Sequence, residues 1–129
     1  MKTGTVIRIF ASDTNPPKIK DLIIVGSDSQ NLALIFVNTH PRIMGFDADM
    51  QGLQLALSPN DCPFLDHGSF ADCSDLRTRS KNEINNILQK DPGRKRGTLP
   101  AHLLERILHL LANADTIDDE TREQFGLTH

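Results

Sequence analysis

Two strand-like segments lie close together near the start of the chain, Ile19 to Val25 and Leu32 to Asn38, built on the apolar runs Leu22 to Val25 and Leu32 to Val37 and separated only by Gly26-Ser27-Asp28-Ser29-Gln30-Asn31. No other feature constrains the fold as much. Both runs are rich in aliphatic and β-branched side chains, which suit a pleated, packed surface. Their apolar residues are consecutive rather than alternating, so both faces of each strand must be covered. The intervening polar segment has the composition of a hairpin connection. A further strand, Thr5-Val6-Ile7-Arg8-Ile9-Phe10, precedes them and stops at the turn formers Ser12-Asp13-Thr14-Asn15-Pro16-Pro17. Parallel pairing needs a crossover of about a dozen residues or more, so these strands must run antiparallel.

Shorter strands are expected at Leu53 to Leu57, after Phe46-Asp47-Ala48-Asp49-Met50, and at Ser69 to Cys73 with an extension toward Leu76. Short strands in this number and spacing predict a small, strongly bent barrel. The period then changes from strand to helix. Ser80-Lys81-Asn82-Glu83 has the form of a capping box, and the helix it opens carries Ile84, Ile87 and Leu88 before ending at Asp91-Pro92-Gly93. Arg94-Lys95-Arg96-Gly97 reads as a basic loop, and Thr98 as the cap of a second helix with Pro100 in its first turn. Leu103, Leu104, Ile107, Leu108 and Leu111 form its apolar stripe. A last short helix is expected over Asp118 to Phe125, stopped by Gly126. The reading is mainly β with added helices (α+β), in one domain over residues 1–129, with the barrel over about 4–79 and a helical portion over 80–129.

A 129-residue chain with 38% apolar and 24% charged residues has globular composition. Its apolar runs are too short to cross a bilayer, and Met1-Lys2-Thr3-Gly4 leads directly into a strand, so a cytoplasmic protein with no membrane partner is expected. Cys62 and Cys73 are then expected to be reduced thiols, with Cys73 a small core residue. Their spacing does not match a zinc site. Asp47 and Asp49 together fall short of the six or so oxygens a hard cation needs, so neither metal nor cofactor is expected. A net charge of −3 argues against a protein that coats nucleic acid along its length. Charge is nevertheless segregated: Lys90, Arg94, Lys95 and Arg96 cluster, as do Asp115, Asp118, Asp119 and Glu120. There is no Trp or Tyr, and the Phe residues read mostly as core, so stacking platforms for bases are scarce. Asp66 and His67 are neighbours in sequence, but adjacent strand residues point to opposite faces, and the pair reads as part of a polar turn.

The order of these pieces resembles the MazF/PemK-type toxins of type II toxin–antitoxin systems. The resemblance rests on Gly4-Thr5-Val6, the Asn15-Pro16-Pro17 loop, Lys20 leading into Leu22-Ile23-Ile24-Val25-Gly26, and Leu34-Ile35-Phe36-Val37-Asn38 ending at Thr39. It covers about residues 4–90, through spacing and hydrophobic pattern more than identity. Where the family pattern has arginine followed by proline, this chain has Lys20-Asp21. Lysine brings a point charge rather than the planar fork that grips two phosphate oxygens.

The resemblance implies an SH3-like barrel and a metal-independent endoribonuclease, or an inactive relative of one. It also implies a homodimer, single-stranded RNA as substrate and an antitoxin protein as partner. Cleavage that uses the RNA's own 2′-hydroxyl needs a base, an acid and donors for charge on phosphorus oxygens. Lys20 carries over as the cationic group and Thr39 as a hydroxyl donor. Lys18, His40 and Arg42 are placed nearby for substrate binding, His40 with an imidazole suited to proton transfer. The alternative is a non-enzymatic protein-binding module in which the barrel and the leucine-striped helix form the contact surface.

Overall fold

The computed structural model describes residues 1–41 and 52–128. Strand β1 (Thr5–Ala11) pairs with β2 (Lys18–Ser27), which pairs with β3 (Asn31–Asn38), each antiparallel as the short connections require. β3 pairs in turn with β5 (Ser69–Ser80), and β5 with the short edge strand β4 (Gln54–Leu57). A strand at residues 95–98 was not expected. Residues read as the basic loop form β6 (Lys95–Thr98), antiparallel to β1. The single sheet has the order β4-β5-β3-β2-β1-β6 and curls into half a barrel. It therefore takes one strand from the portion of the chain expected to be helical.

Both faces of the central strands are covered. Ile23, Val25, Ala33, Ile35 and Val37 face the larger core, inside the curl, together with Cys62, Leu65, Cys73, Leu103, Ile107 and Leu111. Leu22, Ile24, Leu32, Leu34 and Phe36 face a smaller core on the outside, with Ile7, Ile9 and Ile84. Helix α1 (Lys81–Lys90) covers that outer face with Ile84 and the partly buried Ile87 and Leu88. Its start follows from the sequence: the Glu83 N–H donates to Ser80 Oγ at 3.3 Å. A 3₁₀ turn at Pro92–Arg94 then leads into β6.

Helix α2 (Ala101–Asn113) starts at Pro100, not at a Thr98 cap, because Thr98 is committed to the sheet opposite Thr5. Leu103, Ile107 and Leu111 of its stripe are buried in the larger core, and Leu104 and Leu108 are half-buried. Helix α3 (Asp119–Gln124) is capped by Asp118, which accepts from the Thr121 N–H at 2.7 Å. From α3, Arg122 donates to the carbonyl oxygens of Leu111 and Ala114 at the end of α2, where oxygens lack helical partners.

Glycine matters at two close approaches. At Gly26, beside a register shift in β2, a Cβ would lie 2.7 Å from the Phe125 carbonyl oxygen, so the C-terminal segment docks there only because the side chain is absent. At Gly97 on β6, a Cβ would lie 2.5 Å from the Phe64 ring. Phe64 belongs to the connection between β4 and β5, and its carbonyl accepts from Arg96 at 3.1 Å. That connection follows the edge strand β4 and touches the other edge strand, β6, through Phe64.

The β2–β3 hairpin is tied to α3 through one carboxylate. Asp28 accepts from the Gln30 and Asn31 N–H groups at 2.9 and 2.6 Å and from Gln124 Nε2 at 2.8 Å. These donors, Gln124 first, lower its pKa from 3.8 to about 2. A depressed carboxylate pKa contributes stability that is present above the ordinary value and lost as pH falls through the folded one. The melting temperature is therefore expected to drop between pH 3.8 and about 2. Asp28→Asn, which keeps an acceptor but cannot titrate, should flatten that slope in circular-dichroism melts. An unchanged slope would remove Asp28 from the account.

Candidate functional site

The ends of β2, β3 and β5 meet at a cleft of about 470 Å³ lined by Arg8, Lys18, Ile19, Lys20, Asp21, Val37, Thr39, His67 and Ser69. Register explains the meeting. Arg8 stands opposite Asp21, Asp21 opposite Val37, and Asn38 opposite Phe70, so Thr39 and Ser69 arrive one step further along at the same end. Lys18, Lys20 and Thr39 thus all line this cleft. His40 is exposed and does not line the cleft, and Arg42 lies outside the described residues, as do Asp47 and Asp49.

Lys20 is held rather than loose. Its ammonium donates to Asn38 Oδ1 and lies 5.5 Å from the centre of the Phe36 ring. The Arg77 guanidinium lies 5.2 Å from the same ring, while bound to Asp75 and Asp13. Partial burial lowers the Lys20 pKa below 10.5 and the nearby Lys18 charge adds to this, with Asp72 and Asp21 acting in the opposite direction. An ammonium has three donors, so the bond to Asn38 orients Lys20 without exhausting it.

Sequence reasoning passed over three of the polar groups here. Arg8 supplies the planar guanidinium that Lys20 cannot, from the neighbouring strand. It grips Asp21 through two bonds, Nε to Oδ1 at 2.8 Å and NH2 to Oδ2 at 3.1 Å, and this partner raises its pKa. His67 Nδ1 lies 2.9 Å from the Gly68 carbonyl oxygen and 3.4 Å from Ser69 Oγ. A carbonyl only accepts, so this contact puts the proton of a neutral ring on Nδ1 and leaves Nε2 as the acceptor. The signal for Ser69 and His67 was their i, i+2 spacing at the mouth of a strand. For Arg8 no local signal exists, because its place in the cleft depends on the β1–β2 register.

The basic segment disperses. Arg94 donates to the Arg8 carbonyl oxygen at 3.1 Å and pairs with Asp91, Arg96 reaches the Phe64 carbonyl, and Lys95 is exposed on β6. The segment is the end of a 3₁₀ turn followed by a strand, with both arginines tied down, rather than a loop. Cys62 and Cys73 are buried free thiols, as expected of core residues. Burial, then the Asp72 charge, pushes the Cys73 pKa up to about 12, so the thiolate needed of a nucleophile is disfavoured.

Fold and site together define a class: a curled, mainly antiparallel β-sheet protein with three α-helices among the described residues and a cationic, hydroxyl-bearing cleft at one sheet end. The chain matches no known protein-family model, and a search of curated proteins finds no match. Among the described residues no helix is long and apolar enough to cross a membrane.

Proposed function

We propose that this cleft binds a phosphodiester of single-stranded RNA, in a toxin-like protein of the MazF/PemK type with an SH3-like barrel, acting as a metal-independent endoribonuclease or as an inactive relative. One observation carries the reading. Arg8, Lys18, Lys20, Thr39, Ser69 and His67 all line one cleft. These groups match what RNA transesterification demands. In such a reaction the 2′-oxygen attacks phosphorus as His67 Nε2 takes its proton, and the bond to the 5′-oxygen breaks. Lys20, whose lowered pKa suits it to donation, protonates that leaving oxygen, while Arg8, Lys18 and Thr39 donate to the phosphoryl oxygens. The products are a 2′,3′-cyclic phosphate and a 5′-hydroxyl. The same reading takes a homodimer, and an antitoxin segment that competes with RNA for the cleft.

The test is binding of a fluorescently labelled single-stranded RNA, followed by gel analysis of its ends. Lys18→Ala/Lys20→Ala is expected to weaken binding and to flatten the dependence of log K on log salt by about 0.7 for each phosphate no longer neutralised. Lys20→Ala/Thr39→Ala is expected to abolish any cleavage. RNA bound but uncut by the wild-type protein identifies the inactive relative. No RNA binding, or binding indifferent to the lysines, overturns the reading.

A further inference from the structure

The loop between β1 and β2, Ser12 to Pro17, has no buried residue, yet it reaches a distant strand. Asp13 accepts from two arginines of β5, Arg77 NH1 to Oδ2 at 3.1 Å and Arg79 NH2 to Oδ1 at 2.8 Å. In the sheet, β2 and β3 lie between β1 and β5. Arg77 and Arg79 stand opposite Leu34 and Leu32, so they share the outer face with them. Both arginines are also held by groups other than Asp13. Arg77 donates from Nε and NH2 to Asp75 Oδ2 at 3.2 and 2.7 Å and lies over the Phe36 ring. Arg79 NH1 donates to the Thr78 carbonyl oxygen at 3.0 Å. The loop, in contrast, has little else to hold it. Among the described residues, its hydrogen bonds beyond its own hairpin are the two made by Asp13, since Thr14 Oγ1 donates only to the carbonyl oxygens of Ala11 and Pro16.

We propose that Arg77 and Arg79 form a cradle for a dianionic phosphate on the outer face of the sheet, and that Asp13 occupies it as a tethered internal competitor. The carboxylate shows what the cradle accepts: two oxygens of one anion, each met by a different guanidinium. Guanidinium donors suit phosphate oxygens equally well. Because Asp75, Phe36 and the Thr78 carbonyl hold the arginines, the cradle keeps its shape when Asp13 leaves. Lys20, over the same Phe36 ring, adds a third cation to the cluster, and Asp75 is then its one remaining carboxylate. Two ion pairs of a carboxylate 33% exposed to solvent make a weak clasp. Burial alone would raise the Asp13 pKa, but Arg79 and then Arg77 hold it below 3.8, so the competitor is charged at neutral pH. Charge then selects the ligand. A phosphodiester carries one negative charge, no more than Asp13, and faces a rival already tethered in place. A phosphomonoester or free phosphate carries about −1.5 to −2 at pH 7 and displaces a carboxylate electrostatically. The cradle stands apart from the RNA reading of the cleft, because Arg8, between Ile7 and Ile9 of the outer core, projects from the opposite face.

The experiment titrates inorganic phosphate into the full ¹⁵N-labelled chain at neutral pH, with sodium chloride adjusted to keep ionic strength constant. Nuclear magnetic resonance follows the amides of Asp13, Thr14 and Arg79, which are expected to shift together and to saturate. Asp13→Asn, in an exposed loop, is expected to melt like the wild type and to bind phosphate about 2- to 30-fold more tightly, the factor that two such ion pairs account for. Adding Arg79→Gln to that variant should abolish the gain. Adenosine 5′-monophosphate in place of phosphate separates the two sources of the dianion. Tighter binding assigns the cradle to a terminal phosphate on an organic group, and equal or weaker binding assigns it to the free ion. Dimethyl phosphate, a diester, is expected not to shift the wild-type amides. If it binds as tightly as phosphate, the choice of a dianion is overturned. Equal shifts with sodium chloride alone overturn the cradle in favour of simple screening. It is likewise overturned if Asp13→Asn binds no more tightly than wild type, if Arg79→Gln changes nothing, or if phosphate gives no saturable shift.

Discussion

Ile107→Ala is expected to destabilise the protein by about 2–5 kcal/mol, the usual cost of emptying a large aliphatic site. Ile107 is fully buried at the centre of the α2 stripe, against the inner face of the curled sheet. That core is walled by strands, by α2 and by the C-terminal segment ending in Phe125 and Leu127, so the void has little freedom to collapse. Ile84→Ala on the outer face removes the same side-chain atoms from an equally buried site. There the cover is the single helix α1, which can settle toward the sheet, and the expected cost is at the low end of the same range. Urea unfolding checks both: the midpoint should fall with the slope unchanged. If Ile107→Ala costs less than Ile84→Ala, the assignment of the larger core as the main source of stability is wrong.

Asp72→Ala is expected to cost roughly 3 kcal/mol, because it strands donors in the interior at about 1–3 kcal/mol each. Asp72 is 1% exposed on β5. Its Oδ1 accepts from the Ser74 N–H at 3.0 Å, from the Ser74 hydroxyl, and from Gln54 Nε2 at 2.8 Å on the neighbouring strand. The carboxylate sits where β5 bulges: β3 advances from Ile35 to Val37 while β5 goes from Leu76 back to Ala71. Asp72 therefore organises backbone that the β3–β5 ladder cannot satisfy at that point. Asp72→Asn keeps an acceptor for these donors and should cost clearly less. A denaturant series in which the two variants lose equal stability would show that the charge, not the hydrogen bonds, is what matters. Asp72 also opposes the lowering of the Lys20 pKa by burial and by Lys18.

The strands and helices were legible where the signal is local. The periods of Ile19 to Val25, Leu32 to Asn38 and the α1 region each follow from consecutive residues, and Ser80 acts as the cap its neighbours suggest. Reading failed at residues 95–97, where charge and glycine suggested a loop. A short edge strand needs only backbone pairing on one side, so its side chains carry no apolar pattern. The error at Thr98 followed from the same cause. At the cleft, Lys20 and Thr39 entered through the family resemblance, with Lys18 as their neighbour, and all three line it. Arg8 and His67 were not legible, since each joins the cleft through a neighbouring strand or turn.

By itself the sequence determined the antiparallel order of the first three strands, because their connections are too short for anything else. It likewise determined that both faces of β2 and β3 are covered, because continuous apolar runs leave no face for water. What covers them was a tertiary matter. The Leu103, Ile107 and Leu111 side of the α2 stripe, equally suited by pattern to a partner, is buried in the larger core, while Leu104 and Leu108 stay half-buried. Only the tertiary structure decided the rest: β6 extending the sheet at β1, Phe64 lying over Gly97, and the chain end docking on Gly26. Each depends on residues far apart in the chain meeting at van der Waals distance, and no local propensity encodes such a meeting. The cationic cleft is a product of the same register, which sets residues from β1, β2, β3 and β5 side by side.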